Sequence, residues 1–456
     1  MALAAVEPAR AATAPVVVAG ITGPIPVTAQ SGEPFRGENE QPVAGPGLPP
    51  PVLIPYGYVE EEYFVFGAVD GKPYKTSLLV RKPRDPAKFS GLVAVETVHA
   101  QGAIPLWGND RAWMSGGHGW AAVGSQLVAL EDHIRKANPA RYSSLVLPNA
   151  GEPTNAPMSR AMSGGAQDRI SQAILTQVGA LLKANAANGP FRGMRVRYLV
   201  MGGASQTGGT TLRYIEQSHA AARTPAGGPI YDGYLPMEAL AERPVPATDA
   251  VIVHAVTEGD LIFTRALGRT IALRPDSDAP NDRYRHYQFT GDSHVGTRGI
   301  SDPLTVFSTL QGGVKPGEHL SQFPSAELMA SAVENFLAWL MHGVTPPRAA
   351  PIEMSNNEIV RDEFGNAKGG VRSAYVDVPT ARYIASAPVS AGDNPFRRLI
   401  GLEEPFAPEK LRTLYGTREA YLARFDANID QMVQGRWLLA QDAGKLKADE
   451  AKRPLF

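Results

Sequence analysis

A serine lies between a hydrophobic strand pattern and a helix pattern in the stretch RYLVMGGASQTGGTTLRYI. This residue, Ser205, has Gly203 two positions before it, Thr207 two positions after it and then Gly208. A nucleophilic serine on so tight a strand-to-helix turn needs small neighbours at these positions, because larger side chains collide across the turn. The usual spacing is G-x-S-x-G, and Thr207 departs from it. The pattern predicts that Ser205 is a nucleophile, with the Gln206 N–H at the helix start as an oxyanion donor.

Three other interpretations of this glycine-rich turn need to be compared. A phosphate-binding loop, G-x-x-x-x-G-K-[ST], would need lysine where Gly209 stands, and without that charge the phosphates lose their main contact. A dinucleotide-binding turn would need G-x-G-x-x-G, which the stretch lacks. The third interpretation is a structural turn whose serine takes no part in chemistry. The two nucleotide-binding interpretations are disfavoured because residues that their motifs require are missing. The structural interpretation depends on whether other residues of the chain can act as partners of Ser205.

Partner residues for the serine occur in the order that this chemistry requires, with the acid after a late strand and the histidine after the next one. Glu258 and Asp260 follow the strand-like run DAVIVHAVT, and His294 follows YRHYQFTGDS. His294 is therefore expected to accept the serine proton. Either acid could orient the imidazole. The spacing from His254 favours Glu258, in which case Asp260 would cap the helix that follows.

The second oxyanion donor is expected in the loop after an early strand, here GLVAVETVHAQGA. Its candidates are the backbone N–H groups of Ala100 and Gln101. His99 could form a hydrogen bond within the site, or it could be a structural histidine. Trp107 and Trp113 lie in the long segment after this strand, and they could line an apolar substrate pocket or belong to the core.

The elements around these residues alternate between strands and helices, which indicates βαβ units and a mostly parallel central sheet flanked by helices. The predicted fold class is therefore α/β. Residues 1–55 form a Pro- and Gly-rich extended lead-in. Residues 56–349 begin with half-buried antiparallel strands, YGYVEEEYFVFGAV and PYKTSLLVRKP, and continue as the α/β core. Residues 350–456 are interpreted as an appendage packed on that core, extended at GGVRSAYVDVPTARYIA and helical further on.

Composition restricts the possible functions. The formal net charge is −1 and neither sign clusters, which argues against a nucleic acid or an anionic membrane as the main partner. The chain has no cysteine, which excludes disulfides, thiol nucleophiles and cysteine–zinc sites. No apolar run approaches the roughly 20 residues of a membrane span. No metal-ligand motif is visible, so we expect neither metal nor organic cofactor. The oligomeric state is left open.

The chain resembles the bacterial "alpha/beta hydrolase domain" family of esterase-like proteins from about Tyr56 to the C-terminus. The stretches that carry the resemblance include YGYVEEEYFVFG, GGASQTGGTTLRYI, RHYQFTGDSH, GGVRSAYVDVP and LYGTREAY. The resemblance implies the α/β-hydrolase fold and a triad of Ser205, His294 and one of Glu258 or Asp260. It favours a periplasmic or secreted location over a cytoplasmic one. The segment VETVHAQGA departs from the family pattern, where asparagine and a glycine-rich turn are expected.

Three functional hypotheses follow. The leading one is a serine-dependent carboxylic-ester hydrolase that acts on a small-molecule ester through an acyl-enzyme on Ser205. The second is a lactonase or amidase that uses the same triad, which no residue pattern separates from an esterase. The third is a catalytically silent binding protein on a hydrolase scaffold. The sequence does not specify the acyl or the alcohol part of a substrate.

Overall fold

The computed structural model describes residues 16–38, 50–151, 165–298 and 314–455. Its centre is a ten-stranded sheet with the strand order β1-β2-β3-β5-β4-β6-β7-β8-β10-β9. The strands are β1 (Gly20–Thr22), β2 (Tyr58–Val69), β3 (Lys72–Pro83), β4 (Leu92–Thr97), β5 (Gly119–Val123), β6 (Tyr198–Ala204), β7 (Gly233–Met237), β8 (Val251–Thr257), β9 (Ser277–Ala279) and β10 (Asp282–Phe289).

The sheet has an antiparallel part and a parallel part. The first three strands pair antiparallel with each other, and β3 also pairs antiparallel with β5. From β5 to β10 the neighbouring strands are parallel, in the order β5-β4-β6-β7-β8-β10, while the edge strand β9 is antiparallel to β10. The strands β4, β5, β7 and β8 are buried along their whole length, as strands covered by helices on both faces must be. The predicted α/β fold with an antiparallel N-terminal extension is confirmed.

Helices cover the sheet and also make up much of the C-terminal part. The helix Ala166–Ala184 turns its apolar side inward and ends at Asn185, which adopts a left-handed conformation with φ 50°. The helix Ser325–His342 is buried along most of its length, and Gly343 ends it with φ 69°. The helices of six or more residues are Asp110–Ser115, Ala166–Ala184, Gln206–Gln217, Glu258–Ala266, Ser325–His342, Pro408–Tyr415, Arg418–Gln434 and Ala440–Glu450.

Short helical segments complete the structure. They are the α-helical turns Leu127–Ala129, Arg135–Ala137, Pro139–Tyr142 and Ala374–Asp377, the 3₁₀ turns Pro51–Leu53, Pro86–Lys88, Pro105–Asn109 and Pro395–Leu399, and the π-helical turn Leu130–Ile134.

The C-terminal part carries two small sheets and packs on the same core. One sheet has the order β11-β15-β14 and the other pairs β12 with β13. The apolar cluster that contains the central strands continues into Tyr375, Phe425 and Leu446. The segment SAYVDV, expected to be extended, instead forms the helical turn Ala374–Asp377, which buries Ala374, Tyr375 and Val376. The small strands are β11 (His319–Leu320), β12 (Met354–Ser355), β13 (Glu358–Ile359), β14 (Ala381–Ile384) and β15 (Leu402–Pro405).

Among the residues that the structure describes, no helix is at once long enough and apolar enough to cross a lipid bilayer.

Candidate active site

The parallel strands bring chemically active residues to one edge of the sheet. In the register of β6, β7 and β8, Ala204 pairs with Met237 and Met237 pairs with Ala255. The residues that follow these strand ends therefore lie side by side. Ser205 follows β6, Glu238 follows β7, and the helix that carries Glu258 and Asp260 follows β8. In α/β sheets of this kind, the carboxyl ends of the strands are where ligands bind.

The turn at Ser205 has the strained backbone of a nucleophile elbow. Ser205 has φ 58° and ψ −124°, a conformation that non-glycine residues rarely adopt. A Cβ on Gly203 would lie 2.6 Å from the backbone carbon of Thr207, so a larger residue cannot stand there. A Cβ on Gly208 would lie 2.2 Å from the carbonyl oxygen of Met237. The small residue that the turn needs after the serine is therefore Gly208, one position later than in the usual motif.

Thr207, the departure from the usual motif, is accommodated by its hydroxyl group. Thr207 Oγ1 donates to the carbonyl oxygen of Ala204 at 2.8 Å and accepts from the N–H of Ala204 at 3.0 Å. The side chain is buried with its polar atom paired in both directions, so it costs little to bury. These two bonds join the strand end to the first helical turn and hold the elbow closed.

A hydrogen-bonded relay joins three side chains at the elbow. Ser205 Oγ lies 3.0 Å from His294 Nε2, and His294 Nδ1 lies 2.6 Å from Asp260 Oδ1. Because an ionised carboxylate only accepts, His294 Nδ1 carries a hydrogen, and in the neutral form of the ring Nε2 accepts from the serine hydroxyl. The structure thus brings together Ser205, His294 and Asp260 in the arrangement of a nucleophile, a base and an orienting acid.

The structure corrects the preference for Glu258 as the acid beside the imidazole. Glu258 and Asp260 are two residues apart at the start of one helix, which turns them about 200° away from each other. Asp260 therefore points to His294, while Glu258 points to the opposite side. There its carboxylate accepts from the N–H of Gly291 at 2.8 Å and forms an ion pair with Arg361 at 3.0 Å. Asp260 also completes the capping box of this helix, the role expected of it if Glu258 were the acid.

The acids near His294 favour its charged form. Burial alone would lower the pKa of His294, but the hydrogen-bonded carboxylate of Asp260, with contributions from Glu238 and Asp292, raises that pKa to about 9. His99 shows the opposite behaviour, since burial, together with the charge of His294, lowers its pKa to about 4. The site therefore stabilises an imidazolium at His294 and keeps His99 neutral.

The two backbone donors expected in the loop after β4 both have partners within the protein. The N–H of Ala100 donates to Gln206 Oε1 at 3.2 Å, and the N–H of Gln101 donates to His99 Nδ1 at 3.0 Å. The Gln206 side chain is in turn paired with Gln126, each amide donating to the other at 2.9 Å. The loop thus lies beside the elbow, and both of its candidate N–H groups are hydrogen-bonded within the protein.

Three other residues expected near the substrate lie in the interior. Trp113 is fully buried, and its Nε1 donates to the carbonyl oxygen of Leu106 at 3.0 Å. Trp107 packs against Trp120 with ring centroids 4.9 Å apart. His99 is buried and accepts the hydrogen bond from Gln101 described above. Both tryptophans are therefore core residues, because the segment that carries them packs against the helix Ser325–His342.

A cleft of about 610 Å³ opens at Ser205 and His294. Neither of the two tryptophans lines this cleft, and His99 does not line it either. It is lined by Ser205, Gln206, Gly209, Leu212, Arg213, Glu216, Gln217, Glu238, Ala239, Leu240, Ala241, Glu242, Arg243, Pro244, Val245, Pro246, Asp260, Phe263, Thr264, Leu267, Gly268, Arg269, Thr270 and His294.

Glu238 is a cleft residue that the sequence reasoning missed. It follows β7 directly, has φ 51°, and interacts electrostatically with both His294 and Asp260. Burial raises the pKa of its carboxyl to about 7. The signal that could have found it is an acidic residue placed immediately after a strand of the parallel sheet, at the same edge as Ser205.

In the described ranges, no group of three or more His, Cys, Asp or Glu side chains is arranged to hold a metal ion.

The fold and the site geometry define the class of the protein as an α/β-hydrolase-fold protein with a nucleophile elbow. The chain belongs to the family described as "Alpha/beta hydrolase domain", whose model matches residues 21–448. No match to a curated protein is found.

Several solved structures are similar to parts of this chain. Ferulic acid esterase from Streptomyces cinnamoneus is 14% identical, with 67% of this chain and 94% of that chain covered and a TM-score of 0.36. Acetyl xylan esterase from Paenibacillus sp. R4 is 13% identical, with 39% and 48% covered and a TM-score of 0.24. Membership in the family rests on the sequence match over residues 21–448 and not on these structures.

Proposed function

We propose that this protein is a serine-dependent hydrolase of carboxylic esters, which acts through an acyl-enzyme on Ser205. The observation that carries the proposal is the continuous relay from Ser205 Oγ to His294 at 3.0 Å and from His294 to Asp260 at 2.6 Å. A serine hydroxyl is a weak nucleophile at its ordinary pKa, and such a relay is how proteins activate it. The strained backbone of Ser205 supports the same role.

The mechanism follows from the positions of these atoms. His294 Nε2 takes the proton as Ser205 Oγ attacks the ester carbonyl, and Asp260 stabilises the imidazolium that forms. His294 then gives the proton to the leaving alcohol, which departs and leaves an acyl group on Ser205. A water molecule, deprotonated by His294, attacks the acyl-enzyme and releases the acid.

The oxyanion is expected to bind at the start of the helix Gln206–Gln217. The first N–H of that helix belongs to Gln206, next to the nucleophile, and the positive end of the helix dipole adds to its effect. The second donor is Ala100, whose N–H makes a long bond of 3.2 Å to the neutral amide oxygen of Gln206. An oxyanion is the stronger acceptor, so it displaces this bond when the tetrahedral intermediate forms.

A fluorophosphonate probe tests the nucleophile directly, because it reacts covalently only with an activated serine. We expect the native protein to be labelled and Ser205→Ala to lose labelling completely. Ser144→Ala, at an exposed serine bonded to Lys75, is the matched control and should label normally. Absence of labelling in the native protein would favour a silent binding protein on the hydrolase scaffold.

A substrate panel separates ester hydrolysis from related activities. We expect nitrophenyl esters to turn over faster than lactones and anilides. A nitrophenyl ester releases a weakly basic phenolate that leaves readily, whereas an amide must have its poor leaving group protonated as the bond breaks. Turnover of anilides alone would contradict the esterase assignment, and turnover of lactones alone would reassign the protein as a lactonase.

A further inference from the structure

Glu238 stands directly beside the nucleophile. Its strand neighbour Met237 pairs with Ala204, and Met237 also accepts the N–H of Ser205 at 3.1 Å. Ser205 and Glu238 are therefore adjacent residues on neighbouring strand ends, which lie roughly 4.8 Å apart in a sheet. The side chain of Glu238 lines the same cleft as Ser205 and His294.

The carboxyl of Glu238 has no hydrogen-bond or ion-pair partner among the residues that the structure describes. Its backbone, in contrast, is well held, since its N–H donates to the carbonyl oxygen of Ala255 at 2.9 Å. The other cleft acids at the rim are paired, Glu216 with Arg243 and Glu242 with Arg269. This carboxyl is partly exposed and lines the cleft, so its oxygens are available to hydrogen-bond a group on a bound ligand.

The backbone of Glu238 points to the same conclusion. A φ of 51° is unfavourable for a side chain with a Cβ, and Ser205, with φ 58°, shares this property in the same cleft. Strain of this kind costs about 1–3 kcal/mol and persists where the surrounding structure imposes it, commonly at functional sites. Both strained residues, Ser205 and Glu238, line the same cleft.

The position of Glu238 relative to the sheet assigns it to one half of the substrate. In the sheet, β4 and β7 are the two neighbours of β6, which leads to Ser205. The loop with Ala100 follows β4 on one side of β6. Glu238 follows β7 on the other side, next to β8, which leads to Asp260. His294 is on this second side, and it is the group that protonates the leaving alcohol. Glu238 therefore faces the alcohol half of an ester bound at Ser205.

We propose, on the basis of the esterase function argued above, that Glu238 hydrogen-bonds a hydroxyl group on the alcohol half of the substrate. The substrates are then esters of polyhydroxy alcohols, with a free hydroxyl within two or three bonds of the ester oxygen. The carboxyl of Glu238 is the specificity-determining group, because it distinguishes such an alcohol from a plain alkyl alcohol of the same size.

A hydroxyl group suits this carboxyl better than an ammonium group does. The charged groups that act on Glu238 are His294, Asp260 and Asp292. Since the pKa of Glu238 is raised to about 7, both the protonated and the ionised forms are populated near neutral pH. A hydroxyl both donates and accepts, so it pairs with either form, whereas an ammonium group pairs only with the ionised one.

The test compares 2-hydroxyethyl butyrate with propyl butyrate, which differ by a hydroxyl in place of a methyl group. With acid release followed at constant pH, kcat/KM should be at least tenfold higher for the hydroxyethyl ester in the native protein. Glu238→Leu should bring the ratio close to one by slowing the hydroxyethyl ester. Glu238→Gln, which keeps an acceptor oxygen and the shape, should retain part of the preference. Glu363→Leu, at an exposed acid outside the cleft, should leave the ratio unchanged.

Each other result has a distinct meaning. Equal rates for the two esters in the native protein, or an unchanged ratio in Glu238→Leu, would overturn the inference. An equal loss for both esters in Glu238→Leu would also overturn it, because Glu238 would then act through His294 and not on the substrate. Fluorophosphonate labelling and nitrophenyl ester hydrolysis report on the proposed function separately. If both are positive and the ester ratio is one, only this inference fails.

Discussion

Asp260 serves two neighbours with one carboxyl group. Oδ1 accepts from His294, while Oδ2 accepts from the N–H of Thr257 at 2.8 Å. The N–H of Asp260 in turn donates to Thr257 Oγ1 at 3.0 Å. This reciprocal cap fixes the direction of the carboxyl before any substrate binds, so the imidazole is oriented without further rearrangement.

The first prediction concerns the identity of the acid. Asp260→Asn should lower kcat on a nitrophenyl ester by about 10³–10⁴-fold, because an amide can stabilise neither the correct imidazole tautomer nor its charged form. Glu258→Gln should lower kcat far less, since Glu258 is directed at Gly291 and Arg361. Circular dichroism checks that both variants fold. A larger loss in the Glu258 variant would return the acid role to that residue.

The second prediction concerns pH. His294 must be neutral to accept a proton, so activity is present above its pKa and is lost as the pH falls through that value. Because Asp260 raises the pKa of His294, the acidic limb of the kcat/KM profile should lie above pH 6.5, the ordinary value for imidazole. In Asp260→Asn the limb should move to lower pH, together with the lower plateau. An acidic limb that stays in place in this variant would mean that another group controls it.

At the scale of elements, the site depends on how closely the helix after β8 approaches the loop that carries His294. The N–H of Gly259 donates to the carbonyl oxygen of Asp292 at 3.0 Å. A Cβ added to Gly259 would lie 2.6 Å from the carbonyl oxygen of Ala385 and 2.9 Å from the nitrogen of His294. These contacts are to backbone atoms, so the distance between the acid and the base is set by the absence of a side chain at this position.

The third prediction follows from this close approach. Gly259→Ala should reduce kcat by more than tenfold and lower Tm, because the helix must move away from His294, and even small misplacement of catalytic groups is costly. Gly444→Ala is the matched control, since Gly444 is an exposed residue within the helix Ala440–Glu450 and a Cβ there would meet nothing within 4 Å. That control should raise stability by about 0.5–1 kcal/mol. Full activity in Gly259→Ala would contradict the packing described.

At the scale of the whole molecule, an ion pair joins the C-terminal part to the catalytic edge of the sheet. Glu258 is fully buried, while Arg361, which lies just after β13, is partly exposed. The Glu258 carboxylate also accepts a hydrogen bond of 2.8 Å from the N–H of Gly291, which lies three residues before His294. The C-terminal segment therefore supplies a cation to a buried carboxyl that is hydrogen-bonded to the loop with His294, so its loss should affect the site as well as the core.

The fourth prediction tests this connection. Arg361→Met should destabilise the protein by about 2–3 kcal/mol, because it leaves the Glu258 carboxylate buried without its cation. Since burial raises the pKa of Glu258, the penalty should be largest at high pH and should shrink as the pH falls and the carboxyl takes up a proton. Denaturant unfolding across pH measures it. The double variant Arg361→Met/Glu258→Gln should recover part of the loss; no recovery would show that the charge is not the cause.

The local pattern of the sequence determined the order of the elements, the elbow and the two residues that meet there. A strand, a small-residue turn and a helix are short-range features, so RYLVMGGASQTGG identifies Ser205 without knowledge of the rest of the fold. His294 could be predicted for a similar reason, because it lies in the short loop after β10, at the edge where the parallel strands end. The departure from the usual motif at Thr207 is also a local matter, because its hydroxyl bonds only to the backbone of Ala204, three residues away.

Only the tertiary structure decided which side chains face the cleft. Glu258 and Asp260 both follow β8, and the rotation of one docked helix selects Asp260 for the imidazole and Glu258 for Arg361. Trp107 was placed in the core, and Glu238 in the cleft, by long-range packing that no local pattern reports. The physical reason is that spacing along a chain determines where a residue lies on its element, while the contacts of the whole element determine which way it points.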